Sequence, residues 1–263
     1  MSQVVCLSFY RFNALQVRLW AFAMMGLARK QVGSVPDIGF WKLCGSGIGE
    51  GFTPVPNTAV YAILTTWPSE EVARRRMSES NIFKSYRKKA SENWTVFMTT
   101  SSVRGEWAGT TPFVEADLQG IGPLAALTRA TIRPSILMRF WKRVPNISKV
   151  IGSDPNVLFK IGIGEVPWLH QVTFSIWPDA AHMAKFSRTG PHAEAIKAVR
   201  REDWFAEELY ARFSILSDAG TWNGKSPLAA IQKKYWKAYE TSLPIFGDRR
   251  PIRYETGYDP NSH

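Results

Sequence analysis

The chain holds four histidines, and one of them is placed as a metal ligand would be. His192 follows the pair Gly190-Pro191. Proline has no N–H to lose in a first helical turn and its φ is already helical, so this pair stops one helix and starts another. From that start His192, Ala195, Ile196 and Val199 recur at i, i+3, i+4 and i+7, whereas Glu194, Lys197, Arg200 and Arg201 fall elsewhere. The imidazole therefore points inward. A helix-borne, neutral ring nitrogen over an apolar slot, oriented by its second N–H, is what haem iron requires of a protein. A hydrogen-bonded core histidine is the other reading of the same pattern. His170 shares a strand face with Trp168, Val172, Phe174 and Ile176, which makes it an alternative iron ligand, a distal group or a buried structural residue. His182 lies beside the Met183 and Phe186 stripe and is expected to be exposed, and His263 ends the tail.

Other chemistries find little support. "GSGIGEG" at 45–51 contains neither G-x-G-x-x-G nor G-x-x-x-x-G-K-[ST], so it reads as a hairpin or bulge and not as a phosphate loop. "GIGE" recurs at 162–165, which gives Glu50 and Glu165 a shared structural role, such as pairing with Lys42 and Lys160. There is no G-x-S-x-G and no carboxylate pair suited to hydrolysis. Cys6 and Cys44 stand singly, which points to a reducing compartment and no structural metal cluster.

The elements that must carry His192 come in two similar sets. Trp67 and Trp94 are 27 positions apart, as are Trp177 and Trp204. "VRLW" answers "LMRFW", and "SVPDIGFWK" answers "SDPNVLFK", in the same order along the chain. Each half reads βαββαβ. The first has a strand "VVCLSFYRF", a helix over 14–28, strands at 38–44 and 59–66, a helix across 69–91 and a strand near 93–100. The second has a strand at 125–132, a helix at 134–150, strands at 157–163 and 168–176, a broken helix over 179–202 and a strand at 208–215. A four-stranded antiparallel sheet with both helices on one face needs cover on the other. The expected architecture is therefore α+β, two ferredoxin-like repeats in one chain, packed sheet on sheet as a barrel-like pseudo-dimer. The boundaries are 1–118 for the first repeat, 119–218 for the second, haem-binding half, and 219–263 for a C-terminal helix and surface tail. At the position aligned with His192 the first half has Ile82, so only the later copy acquired a ligand.

With 263 residues, 45% hydrophobic, a packed core is assured. The formal charge of +11 implies an anionic partner. Basic runs interleaved with aromatics, "ARRRM", "YRKK", "FWKR" and "QKKYWK", favour the headgroup boundary of an anionic membrane. No RNP-like, zinc-finger or helix-turn-helix signature supports nucleic acid. "LWAFAMMGLA" at 19–28 is too short to span a bilayer and no cleavable leader is evident, so a cytoplasmic, peripheral protein is expected.

The stretches "GFWKLCGSGIGEGFTPVPNTAVYAILTTWP", "LTRATIRPSILMRFWKRVP", "DPNVLFKIGIGEVPWLHQVTFSIWPDA" and "DWFAEELYARF" resemble the spheroidene monooxygenase family, the acyclic carotenoid ketolases of purple photosynthetic bacteria, over roughly 4 to 216. The resemblance implies haem-dependent oxidation at C2 of a linear methoxylated carotenoid, spheroidene to spheroidenone, with O2 and reduced ferredoxin, at the inner photosynthetic membrane. "IWPDAAHMAKFSRTGPHAEAI" is similar to the haem-binding helix of small α+β-barrel monooxygenases that degrade haem. That likeness puts the iron on His192 only; Ile196 and Phe174 are expected to touch the cofactor, with Trp177 and His170 as further pocket lining, and the distal side is left unassigned. A haem oxidoreductase or dehydratase acting on another substrate, and a non-catalytic haem or carotenoid carrier, are the alternatives.

Overall fold

The computed structural model describes residues 2–49, 53–116, 122–142, 156–188 and 204–229. In chain order the elements are β1 (Val4–Arg11), α1 (Leu15–Gly33), β2 (Trp41–Gly47), β3 (Pro56–Trp67), α2 (Glu70–Glu79), α3 (Asn81–Lys89) and β4 (Glu92–Gly105). They continue with β5 (Leu124–Ile132), a 3-10 turn (Pro134–Ile136) leading into helix at 137–142, β6 (Phe159–Gly164), β7 (His170–Trp177), α4 (Ala180–Arg188) and β8 (Phe205–Gly220). The eight strands close into an antiparallel barrel in the order β1-β3-β2-β6-β7-β5-β8-β4. Cut at its two cross-half seams, that ring gives β4-β1-β3-β2 and β8-β5-β7-β6, the same order twice.

Alternation along the strands sends one set of side chains inward and the other outward. Val5, Leu7 and Phe9 of β1 meet Ile161, Phe174, Ile176 and Phe213 inside the barrel. Phe9 stacks on Trp94 at 5.6 Å, and Trp94 lies 4.7 Å from Phe159, so aromatic rings fill one end. Trp222 and Leu228 are buried in the same interior, and the Arg11 guanidinium lies 4.3 Å from the Trp222 ring. The start of the expected surface tail is thus a plug for the barrel. Trp222 is the single aromatic in a turn-rich stretch, and burying it outweighs the solubility of its neighbours.

Outside the first half, Cys6, Tyr10, Tyr61, Ile63 and Phe97 pack under α1, α2 and α3 through Ala21, Met24, Ala28, Val32, Met77, Ile82, Phe83 and Tyr86. The helix expected across 69–91 is two helices, broken at Ser80, whose extended backbone (φ −71°, ψ 130°) cannot continue an α-turn. Gly190, where the sequence predicts a break in the second half, lies 110 positions on, as Trp177 does from Trp67, and is outside the described residues. In both halves the Trp at the strand end donates its Nε1–H to the hydroxyl two residues back, Trp67 to Thr65 at 2.8 Å and Trp177 to Ser175 at 3.0 Å. β8 runs from 205 to 220, far beyond its expected 208–215, because it pairs with both β4 and β5 and absorbs register shifts in each ladder.

The two cross-half seams differ. β4 and β8 pair over eleven residue pairs, from Trp94–Gly220 to Gly105–Leu209. β2 and β6 pair only through Gly45–Gly164 and Ser46–Ile163.

Candidate functional site

Register shows how the outer face of the second half departs from that of the first. β1 and β3 set Cys6 opposite Thr65, Ser8 opposite Ile63 and Tyr10 opposite Tyr61. The matching pairs of β5 and β7 are Ala126–Ser175, Thr128–Thr173 and Ala130–Gln171. One strand over, Leu43 beside Ile63 is answered by Gly162 beside Thr173. Where the first half is filled by tyrosine, isoleucine and leucine, the second has alanine, threonine and glycine. Ala126, Thr128, Gln171 and Thr173 are only half-buried, whereas Cys6, Ser8, Tyr61 and Ile63 are buried. This outer face of the second half is therefore a floor of smaller side chains, less covered than its counterpart in the first half.

His192 and Ile196, on the helix expected above this floor, lie outside the described residues. The aligned residue, Ile82 on α3, is buried between helix and sheet.

A second constellation occupies the interior of the barrel at the end opposite Trp94 and Trp222. The sequence reading missed most of it. Arg129 shares its strand face with Ala125 and Leu127, so the guanidinium is inside, and the residue is 2% exposed. Its Nη1 lies 2.9 Å from Glu207 Oε2, and its Nη2 lies 3.9 Å from Glu165 Oε2. Glu165 also takes Lys42 Nζ at 2.9 Å and the Trp107 Nε1–H at 2.6 Å. Glu165 thus pairs with Lys42 across the short β2–β6 seam, and not with Lys160 of its own strand. The signal was present in "ALTRATI", where an arginine falls on the inward parity of a barrel strand.

Backbone geometry fixes this cluster. A Cβ on Gly164 would stand 2.2 Å from the His170 carbonyl oxygen, so only glycine lets the turn from Glu165 to His170 close. Trp168 in that turn has φ 67° and donates its Nε1–H to the Pro54 carbonyl at 2.8 Å, tying the β6–β7 turn to the β2–β3 turn. Burial tends to raise the Glu207 carboxyl, but the N–H groups of Gly109 and Ala108 and the Arg129 charge outweigh it and hold the group below the usual glutamate range.

His170 belongs to this cluster. Its Nδ1 lies 3.8 Å from Glu165 Oε2, without a hydrogen bond, and burial followed by the Arg129 charge lowers its pKa below the ordinary 6.5. The unfolded chain therefore binds the extra proton first. Stability is full above pH 6.5 and falls as the pH drops from there towards the lower folded-state value. In urea melts between pH 7.5 and 5.5, His170→Gln should flatten this loss relative to the unaltered protein. Equal slopes would contradict it.

Phe174, expected beside His192, is inside the barrel with its ring 6.0 Å from Phe9 and 6.2 Å from Phe159. Alternation puts it and His170 on the opposite side of the sheet from Thr173 and Ser175. It is a core residue, and the outer floor is lined without it. Trp177 is buried on the outer side, 5.1 Å from Phe186 of α4. His182 is partly exposed and hydrogen-bonds Asp179 through Nδ1 at 2.8 Å, as a surface helix-start residue. Gly47 ends β2 in a bulged β2–β3 hairpin, as the glycine pattern implies, and Glu50 lies outside the described residues. Both cysteines are free and buried, and no group of three or more His, Cys, Asp or Glu suited to a metal ion occurs among the described residues. No described helix is long and apolar enough to cross a membrane.

The closed antiparallel barrel with helices outside is a dimeric-α/β-barrel type of fold. It matches aldoxime dehydratase, with a TM-score of 0.53 over 81% of this chain and 82% of that one at 8% identity, and aldoxime dehydratase in complex with butyraldoxime, with a TM-score of 0.52 over 82% and 80% at 10% identity. At such identities the likeness concerns the fold alone. No family model matches the chain. Full-length relatives are more specific. The chain is 50% identical over 229 residues to spheroidene monooxygenase of Cereibacter sphaeroides, covering 86% of this chain and 71% of that protein. It is 46% identical over 231 residues to the Rhodobacter capsulatus protein of the same name, covering 86% and 96%, and 35% identical over 213 residues to that of Rubrivivax gelatinosus, covering 79% and 80%. The chain belongs to the spheroidene monooxygenase family and is an oxidoreductase of the monooxygenase class.

Proposed function

We propose that the protein is a haem-dependent monooxygenase that introduces a keto group at C2 of acyclic methoxy-carotenoids, converting spheroidene to spheroidenone. Two successive hydroxylations at one carbon, each consuming one O2 and two electrons from reduced ferredoxin, give a geminal diol that loses water to the ketone. The observation that carries this reading is the small-residue floor of Ala126, Thr128, Ala130, Gly162 and Thr173 in just one of two matching halves.

The residues fit the cofactor. A planar macrocycle needs room beside small side chains and one imidazole, and the floor together with His192 and Ile196 of the covering helix would supply both. Haem bound there would supply oxygen activation, and the chain's own residues do the rest. His192 would hold the iron. The small side chains would leave room for the ring, and Trp177, tied to Ser175, would lie at the edge of that floor. His170 is the alternative ligand, although its place inside the barrel beside Glu165 and Arg129 favours a proton-holding or structural role.

The same strand order in each half and the repeated Trp-to-hydroxyl bond support two ferredoxin-like repeats fused as a pseudo-dimer, with the division near residue 118. The net charge of +11 supports an acidic redox partner and peripheral contact with an anionic membrane, where a carotenoid resides. The test is reconstitution. Purified protein loaded with haem, given spheroidene in detergent and reduced ferredoxin, should show a Soret band, take up O2 and form spheroidenone. A Soret band without product would favour a haem enzyme for another substrate, and bound pigment without O2 uptake would favour a carrier.

A further inference from the structure

Helix α1 has two apolar faces. Ala21, Met24, Ala28 and Val32 are buried against the sheet. On the far side Leu15, Leu19, Phe22 and Leu27 are 71%, 63%, 67% and 67% exposed, although burying such side chains is ordinarily favourable. Leu15, Leu19 and Phe22 stand at i, i+4 and i+7, and the exposed Ala23 and Gly26 extend the same stripe without interrupting it. Four of these large side chains on one helix form a patch that marks an interaction surface and not scattered exposure.

The charges around the patch identify its partner. Between Leu15 and Gly33 there is no acidic residue, and the only charges are Arg18, Arg29 and Lys30. On α3, Lys88 is exposed and Lys89 places its Nζ 5.3 Å from the ring of Trp20, which itself lies on α1. The apolar stripe is therefore bordered by cations on both sides and has a Trp at its edge, the arrangement of a helix lying in a lipid headgroup layer. A symmetric contact with a second copy would set these cations against one another. Four side chains also fall short of the roughly 800 Å² per partner that stable dimers bury.

We infer that the outer face of α1 is the membrane-docking surface of this protein, with Leu15, Leu19, Phe22 and Leu27 entering the acyl boundary of an anionic bilayer and Arg18, Arg29, Lys30, Lys88 and Lys89 meeting its headgroups. This deepens the membrane contact proposed above, but it stands on exposure and charge and not on the carotenoid chemistry.

The experiment is flotation of the full-length protein with vesicles of phosphatidylcholine alone and of phosphatidylcholine with phosphatidylglycerol, at low and high salt. The unaltered protein should float with the anionic vesicles, and raising salt should weaken binding. Leu19→Glu/Phe22→Glu changes two exposed residues, so its circular dichroism and melting should be unchanged, and its bound fraction should fall at least about tenfold. Met138→Glu, a charge placed on an exposed apolar residue elsewhere, should bind as the unaltered protein does. Equal flotation of the α1 variant overturns the assignment. So does sedimentation showing a dimer that the α1 variant converts to monomer while vesicle binding persists, which would make the patch a contact between copies. Vesicle binding lost in the α1 variant of a protein that leaves spheroidene unoxidised would instead sink the functional reading and leave the docking surface standing.

Discussion

Replacing His192 by Ala is expected to abolish the Soret band and carotenoid oxidation together while leaving the melting of the barrel nearly unchanged. An axial ligand is the single protein bond to the metal, and no neighbouring side chain replaces a missing imidazole nitrogen. The slot offers an independent check that leaves the ligand intact. Ala130→Tyr with Thr173→Ile copies onto the second half the residues that the first half carries at the same register, Tyr10 and Ile63. Filling the floor in this way should lower haem occupancy by about tenfold or more, with the first half unaffected. Spectrophotometric titration of apoprotein with haem measures both. A His192→Ala protein that keeps its Soret band and activity would make His170 the ligand, and full haem occupancy in the filled variant would remove the slot.

The largest stability effect is expected at Glu165. Its carboxylate accepts from Lys42 and Trp107 and lies beside Arg129, which is almost wholly buried. Glu165→Ala strips a counter-charge from these cations and leaves the Trp107 indole N–H unpaired. Removing one member of a buried charged group costs about 3–5 kcal/mol, far more than forming it contributes, because the remaining charges stay desolvated. For a chain of this size that is a fall in melting temperature of about 10 °C. Glu165→Ala combined with Lys42→Met should recover part of the loss, since it removes one of the stranded cations. Differential scanning calorimetry of the three proteins decides the matter. A single variant within 1 kcal/mol of the parent would show that the cluster is solvated enough to tolerate the change.

How much of this could be read in advance depends on whether a feature is local. Alternation in "VVCLSFYRF", the Trp-Pro corners and the glycine-marked hairpins announce themselves within a few residues, and the strand inventory with its two halves follows from them. No glycine or proline stands at Ser80, so the break between α2 and α3 had no visible mark in the sequence. The pairing of Lys42 with Glu165 needs the ring to close, and that of Arg129 with Glu207 needs β5 and β8 to pair, which brings residues 123 and 78 positions apart into contact. The small-residue floor is legible only once register says which positions of the two halves correspond. Side-chain direction also depends on the ladder, since Phe174 shares a strand with Thr173 and Ser175 and yet faces the barrel interior.

The uneven seams of the barrel have a mechanical consequence. A ring whose staves are stitched by eleven pairs on one side and two on the other is, in effect, a hinge facing a latch. Thermal breathing will begin at Gly45, Ser46, Ile163 and Gly164, whose amides should exchange with deuterium ahead of those between β4 and β8. Lys42 and Glu165 bolt the latch from within. Strain or solvent that reaches this ion pair can therefore swing the two halves apart along one edge while the other stays sewn.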